Sequence, residues 1–192
     1  MQHPMRVPPA DHADLSPRQV KIADKMGKFG KPDASNLMKT ALNYPEFARS
    51  IGRISTRVTL TGDLPPRLYQ FACLRTVWLC DCEYLWARHR DECLAMGISE
   101  DELYQVAVGP GGELQGSDRL VLEAVDEMHN QHYLTDEQWS AFDQYGDNAV
   151  MDLMTTYGFY VTMSAFANST GVQLEPGVAG YSDELVALRP VA

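Results

Sequence analysis

The sequence has no apolar run near the ~20 residues that a membrane-spanning helix requires. It is also short of positive charge: 16 Lys and Arg face 26 Asp and Glu, a formal net charge of −10. That balance argues against a phosphate-tracking surface, because nucleic-acid binding needs clustered cations. It equally argues against attraction to an anionic bilayer. The opening residues, Met1-Gln-His-Pro-Met-Arg-Val-Pro-Pro9, lack the apolar core of a secretory leader, so a cytoplasmic protein is expected. Neither G-x-S-x-G nor H-E-x-x-H occurs, which argues against a serine-hydrolase elbow and a zincin. Gly109-Pro-Gly-Gly112 lacks the Gly-Lys-Ser/Thr ending and the preceding strand of a phosphate loop. Period-two alternation is missing as well. Val58-Thr59-Leu60 is the best strand candidate, and it is too short to stand.

What is present is helical punctuation. With 192 residues, 45% of them hydrophobic and 22% charged, the chain suits one globular domain. Residues 1–15 hold three prolines and two histidines and read as a flexible arm, free or gripping a partner. Ser16-Pro17 starts a first helix, ended by Gly27 or Gly30. Further helices are expected from about Asn36 to Asn43, from Pro45 to near Gly62, from Pro65-Pro66 through Trp78, and from about Asp81 to Met96. Ser99-Glu-Asp-Glu102 and Thr135-Asp-Glu-Gln138 are capping boxes. Ser117 is expected to cap a seventh helix, and Asp147 a last long one ending near Asn168 before Gly171. The architecture implied is an all-α, single-domain bundle of eight or nine helices over residues 16–178, with a Gly/Pro-rich tail over 179–192.

The chemistry concentrates in Arg67–His89. All four cysteines (Cys73, Cys80, Cys82, Cys93) fall in one short window, unlike the spread of a stapled secreted domain. Counted as helical positions, Cys82, Leu85 and His89 share a face, flanked by Glu83 and Tyr84. A thiol at a helix start beside an imidazole would have a lowered pKa. The plainer alternative is a small core cysteine and an interior histidine. Cys80-Asp-Cys82 could close only a small, strained disulfide ring, and the Cys/His spacing is not that of a zinc site, so no metal is expected. Asp126 and Asn130 share a face of the helix that carries His129, which reads as a solvated helix end. Tyr157, Gly158, Phe159, Tyr160 and Met163 form an aromatic and methionine stripe suited to core, interface or the wall of an apolar pocket. Gly158 there would allow a close backbone approach.

The run Leu74-Arg-Thr-Val-Trp-Leu-Cys-Asp-Cys-Glu-Tyr-Leu-Trp-Ala-Arg-His89 resembles the carboxymuconolactone decarboxylase family, which includes the alkyl hydroperoxidase D-like proteins. Ala95-Met-Gly-Ile-Ser-Glu-Asp-Glu-Leu103, Ala124-Val-Asp-Glu-Met-His129 and Gly171-Val-Gln-Leu-Glu-Pro176 are similar in order, so the likeness spans roughly residues 35–178. The resemblance implies an all-helical fold assembled as trimers or hexamers, with active sites near subunit interfaces and no organic cofactor or metal. The family's peroxidase branch has a glutamate twelve residues before a C-x-x-C, and a histidine four residues after it. On this chain those positions are Gln70, Cys82, Leu85 and His89. Two departures stand out: the resolving cysteine is Leu85 and the relay carboxylate is Gln70.

Three functions follow from these residues. The first is a cofactor-independent lyase or decarboxylase for a small carboxylated or carbonyl-bearing, lactone-like metabolite. His89 would serve as acid and base, Tyr84 would donate to an enolate, and Arg75 would hold a carboxylate. Gln70 and Trp86 would complete the substrate contacts, and Cys82 would stand beside the histidine. The second is a thiol-dependent hydroperoxidase on Cys82, with Cys80 resolving. The third is a non-catalytic, oligomeric binding protein.

Overall fold

The computed structural model describes residues 3–25 and 34–189. Over them the chain forms ten α-helices and no strand: α1 (Pro17–Lys25), α2 (Asn36–Ala41), α3 (Pro45–Leu60), α4 (Pro66–Leu79), α5 (Glu83–Ala95), α6 (Glu100–Val108), α7 (Gly116–Gln131), α8 (Asp136–Ala141), α9 (Asp147–Thr170) and α10 (Asp183–Ala187). The stop expected at Gly27 or Gly30 lies outside the described residues. Val58-Thr59-Leu60 is the last turn of α3.

Helix starts follow the local chemistry. Proline stands at the first turn of α3 and α4, where a missing N–H costs nothing. Ser99 and Glu102 make the full reciprocal capping box at α6. Thr135 accepts from Gln138 N, but Gln138 Oε1 makes no return bond, so that box is half made. Ser117 is not a cap: α7 begins one residue earlier, and Ser117 Oγ meets Tyr145 Oη at 2.6 Å. Asp147 is the first residue of α9, and Gly146 caps it. The tail contains an unexpected helix, α10, whose cap Ser182 accepts from Leu185 N.

The centre of the bundle is α4. Every residue from Leu68 to Trp78 is buried, because α5, α6, α7 and α9 pack around it. A helix surrounded in this way shows no amphipathic stripe, and its few buried polar residues, Gln70, Arg75 and Thr76, all have partners. Charged clamps hold its neighbours. Arg67 joins Asp118 of α7 at 2.8 Å and Glu102 of α6 at 2.5 Å. Asp152 of α9, only 6% exposed, accepts from Arg57 of α3 at 2.9 Å and from Asp63 N at 2.6 Å, which fixes the α3–α4 turn.

The arm that could have gripped a partner lies against its own chain. Arg6 N and Val7 N both donate to Thr170 O, at 2.8 and 3.1 Å, and Gln173 Nε2 donates to His3 O at 2.9 Å. Gly171 has φ +71, and a Cβ there would collide with the Pro4 carbonyl oxygen.

Candidate active site

His89 lies on the second turn of α5 and is buried against α4 and α9. Its ring meets Tyr160 edge-on at 5.0 Å and Tyr69 at 6.5 Å, and the two tyrosine hydroxyls are 2.5 Å apart. Nδ1 sits 3.0 Å from Gln70 Oε1. The Gln70 amide nitrogen in turn donates to Glu92 Oε2 at 3.2 Å. A carboxylate can only accept, so this chain fixes the amide orientation. The amide oxygen therefore faces Nδ1, Nδ1 carries the proton, and Nε2 keeps its lone pair. Burial pushes the His89 pKa down, and Arg88 adds to that. Glu92, 3.5 Å from Nδ1, works the other way. The imidazole is neutral at neutral pH and poised to take a proton.

His89 lines a cavity of about 540 Å³ bounded by α3, α4, α5 and α9 and reaching the start of α2. Leu64, Leu85, Phe159 and Met163 supply apolar wall, while Gln70, Tyr69, Tyr84, Arg88 and Glu92 supply polar groups. Leu60 and Met96, 77% and 47% exposed, stand at the mouth. A volume of this size suits a small organic molecule.

The candidate residues separate into two groups. His89, Gln70 and Tyr84 come together at the cavity. Tyr84 Oη, however, donates to Glu175 Oε1 at 2.7 Å and accepts from Leu37 N at 3.2 Å, so its proton is committed to anchoring α2. It is not a free donor for an enolate.

Cys82, Trp86 and Arg75 lie elsewhere. Cys82 is the N-cap of α5, with φ −103 and ψ 83, so counting helical positions from it does not place it on the His89 face. It is fully buried and does not line the cavity. Burial outweighs the Leu85 N–H aimed at the sulfur and pushes this thiol up to about 11, the reverse of an activated thiolate. Trp86 packs with Trp78 and Tyr181, at 5.4 and 5.9 Å between ring centroids, away from the cavity.

Arg75 is a structural clamp. Its Nε and Nη2 grip Asp126 at 2.6 and 2.8 Å, and Nη1 donates to Ala107 O at 2.6 Å. A Cβ on Gly109 would lie 2.6 Å from the Arg75 Cζ, so glycine is required where α6 ends. Asp126 is thus an interhelix partner rather than part of a solvated helix end. Gly158 faces open space instead of a neighbouring helix of this chain.

The two charged residues of the cavity, Arg88 and Glu92, escaped sequence reasoning. They flank His89 at i−1 and i+3, and the i+3 spacing of Glu92 was the available signal. Among the described residues, no three His, Cys, Asp or Glu side chains gather in a way that could hold a metal ion. No described helix is long and apolar enough to cross a membrane.

This all-helical bundle is the fold of alkylhydroperoxidase D-like proteins. An uncharacterized peroxidase-related protein with an alkylhydroperoxidase AhpD core from Ralstonia eutropha superposes with a TM-score of 0.75, at 19% identity over 91% of this chain and 94% of that one. An uncharacterized peroxidase-related protein from Silicibacter gives 0.69, at 14% identity over 98% and 100%. A protein of unknown function from Agrobacterium tumefaciens gives 0.61, at 18% identity over 70% and 94%. Residues 45–111 match the carboxymuconolactone decarboxylase family, a shorter span than the likeness read from the sequence. No curated protein matches the chain significantly.

Proposed function

We propose that the chain is a cofactor-independent acid–base enzyme. It acts as a carbon–carbon lyase or isomerase on a small carbonyl-bearing, carboxylated molecule such as a lactone acid. The carrying observation is the Glu92–Gln70–His89 hydrogen-bond chain, which leaves a neutral imidazole with its Nε2 lone pair on the cavity. A base so placed can take a proton next to a substrate carbonyl and return it elsewhere. Gln70 acts as a positioning residue that holds the tautomer.

The names of the fold neighbours favour a thiol peroxidase as the second reading. Against it stand the buried Cys82, the leucine at 85 and a cavity lined by none of the four cysteines. We place the enzyme in the cytoplasm as a homo-oligomer, trimer or hexamer. In support, α9 exposes Met151, Met154, Gly158 and Ala165 and carries no charged residue C-terminal to the buried Asp152.

The test is NMR in D2O on a panel of lactone acids and 3-oxo acids, following deuterium uptake and carbon–carbon cleavage. His89→Gln should lower turnover by roughly a hundredfold or more, while Cys82→Ser leaves it intact. Unchanged turnover in His89→Gln refutes the assignment. Peroxide consumption that Cys82→Ser abolishes would transfer the function to the thiol.

A further inference from the structure

We infer that Arg88 is the anchor for a single negative charge on the ligand, and that the cavity accepts monoanions with an apolar body while disfavouring dianions. The inference takes the cavity from the proposed function and adds a charge rule to it. Arg88 is the one Lys or Arg among the cavity-lining residues. It is half-buried, and among the described residues its guanidinium meets no carboxylate and makes no hydrogen bond, unlike Arg57, Arg67, Arg75 and Arg90.

The absence of an ion pair is informative because Glu92 lies four residues along the same helix, the spacing at which such pairs ordinarily form. Glu92 instead turns to Gln70 and His89. The glutamate is engaged in holding the imidazole, and the arginine is left to the cavity. Its charge reaches His89, whose protonation it disfavours. A half-buried guanidinium with five donors and no partner is a matched receptor for a planar carboxylate.

The remaining surroundings limit the ligand. Leu64, Leu85, Phe159 and Met163 offer no donor, the Thr56, Thr59 and Tyr84 hydroxyls are spent on Gly52 O, Ser55 O and Glu175, no second cation lines the cavity, and the Glu92 carboxylate repels a second anionic group. One cation beside one fixed carboxylate therefore selects a ligand carrying one charge at one end. Arg88 and His89 both line the cavity, so an anion anchored on Arg88 shares that cavity with the imidazole.

The experiment is calorimetric titration of the full chain with 3-phenylpropanoate, 3-phenylpropanamide and phenylsuccinate. Wild type should bind the monoanion about tenfold more tightly than the neutral amide or the dianion, the scale of one charge-assisted hydrogen-bonded pair. Arg88→Gln should bring monoanion and amide to equal affinity with the amide unchanged, and Arg88→Lys should restore part of the preference. Thermal melts of both variants should match wild type, since the guanidinium holds no other element. His89→Gln should keep the charge preference while losing turnover, which separates failure of this anchor from failure of the base. The inference is overturned if the amide or the dianion binds as well as the monoanion. It is equally overturned if no carboxylate binds, or if Arg88→Gln retains the preference.

Discussion

Replacing Arg75 by alanine tests most directly whether that residue is a clamp or a substrate contact. The side chain is 8% exposed and its partner Asp126 is 24% exposed. The guanidinium donates to both oxygens of Asp126 and to the carbonyls of Val106 and Ala107. Truncation strands a partly buried carboxylate and two carbonyls at the point where α4, α6 and α7 meet. Removing one partner of a buried pair costs about 3–5 kcal/mol. Water reaches Asp126, so the lower end of that range, about 3 kcal/mol, is expected. In a chain of this length, about 2–4 °C of melting temperature is lost per kcal/mol, which predicts a drop of about 6–12 °C. Urea unfolding followed by far-UV circular dichroism measures the free energy directly. Asp126→Asn should cost less, because the amide still accepts one hydrogen bond. A loss below about 1 kcal/mol in Arg75→Ala would refute the clamp and return Arg75 to consideration as a ligand contact.

Two further outcomes follow from the buried groups. The unfolded His89 imidazole takes its proton near 6.5, and burial moves the folded value lower. Between the two, the unfolded chain binds more protons, so this contribution to stability is complete above pH 6.5 and declines as the pH falls below it. Denaturant midpoints of wild type should fall over that window more steeply than those of His89→Gln. For the cysteines, timed alkylation at pH 8 with peptide mapping should label half-buried Cys80 first. Cys82, whose pKa is pushed up to about 11, and Cys93, to about 12, should react slowly. Rapid, selective reaction at Cys82 would contradict its burial.

Much of the fold was legible because helix ends carry their own chemistry. The prolines at 45 and 66, the Ser99–Glu102 box and the Gly171 stop all act within one turn of sequence. Five-residue α10 was missed because the Gly/Pro content of the tail masked the Ser182 cap. At the site, His89 stood out from its helical spacing and Gln70 from the family resemblance, and their contact was not readable from spacing alone. Arg75 was misjudged because α4 is buried on every side. A buried arginine must have a partner, and Asp126 lies 51 residues away. Cys82 was misplaced because it is the N-cap of α5, with φ −103 and ψ 83, and so lies outside the regular helix that the count assumed. Helical counting fails from a capping residue, whose backbone is not yet helical.

The strap formed by residues near the start of the chain has a consequence for how the protein is made. Arg6 docks on Ser169, 163 residues further along. On the ribosome the strap emerges before α1, yet the carbonyls that receive it are among the later residues synthesised. Residues 3–7 therefore cannot make these contacts until α9 has been synthesised. Their docking cannot precede the synthesis of Ser169 and Thr170, so it is a latch that only the nearly finished chain can close. A nascent chain stalled before Thr170 would carry every residue of the Glu92–Gln70–His89 chain and still have this latch open.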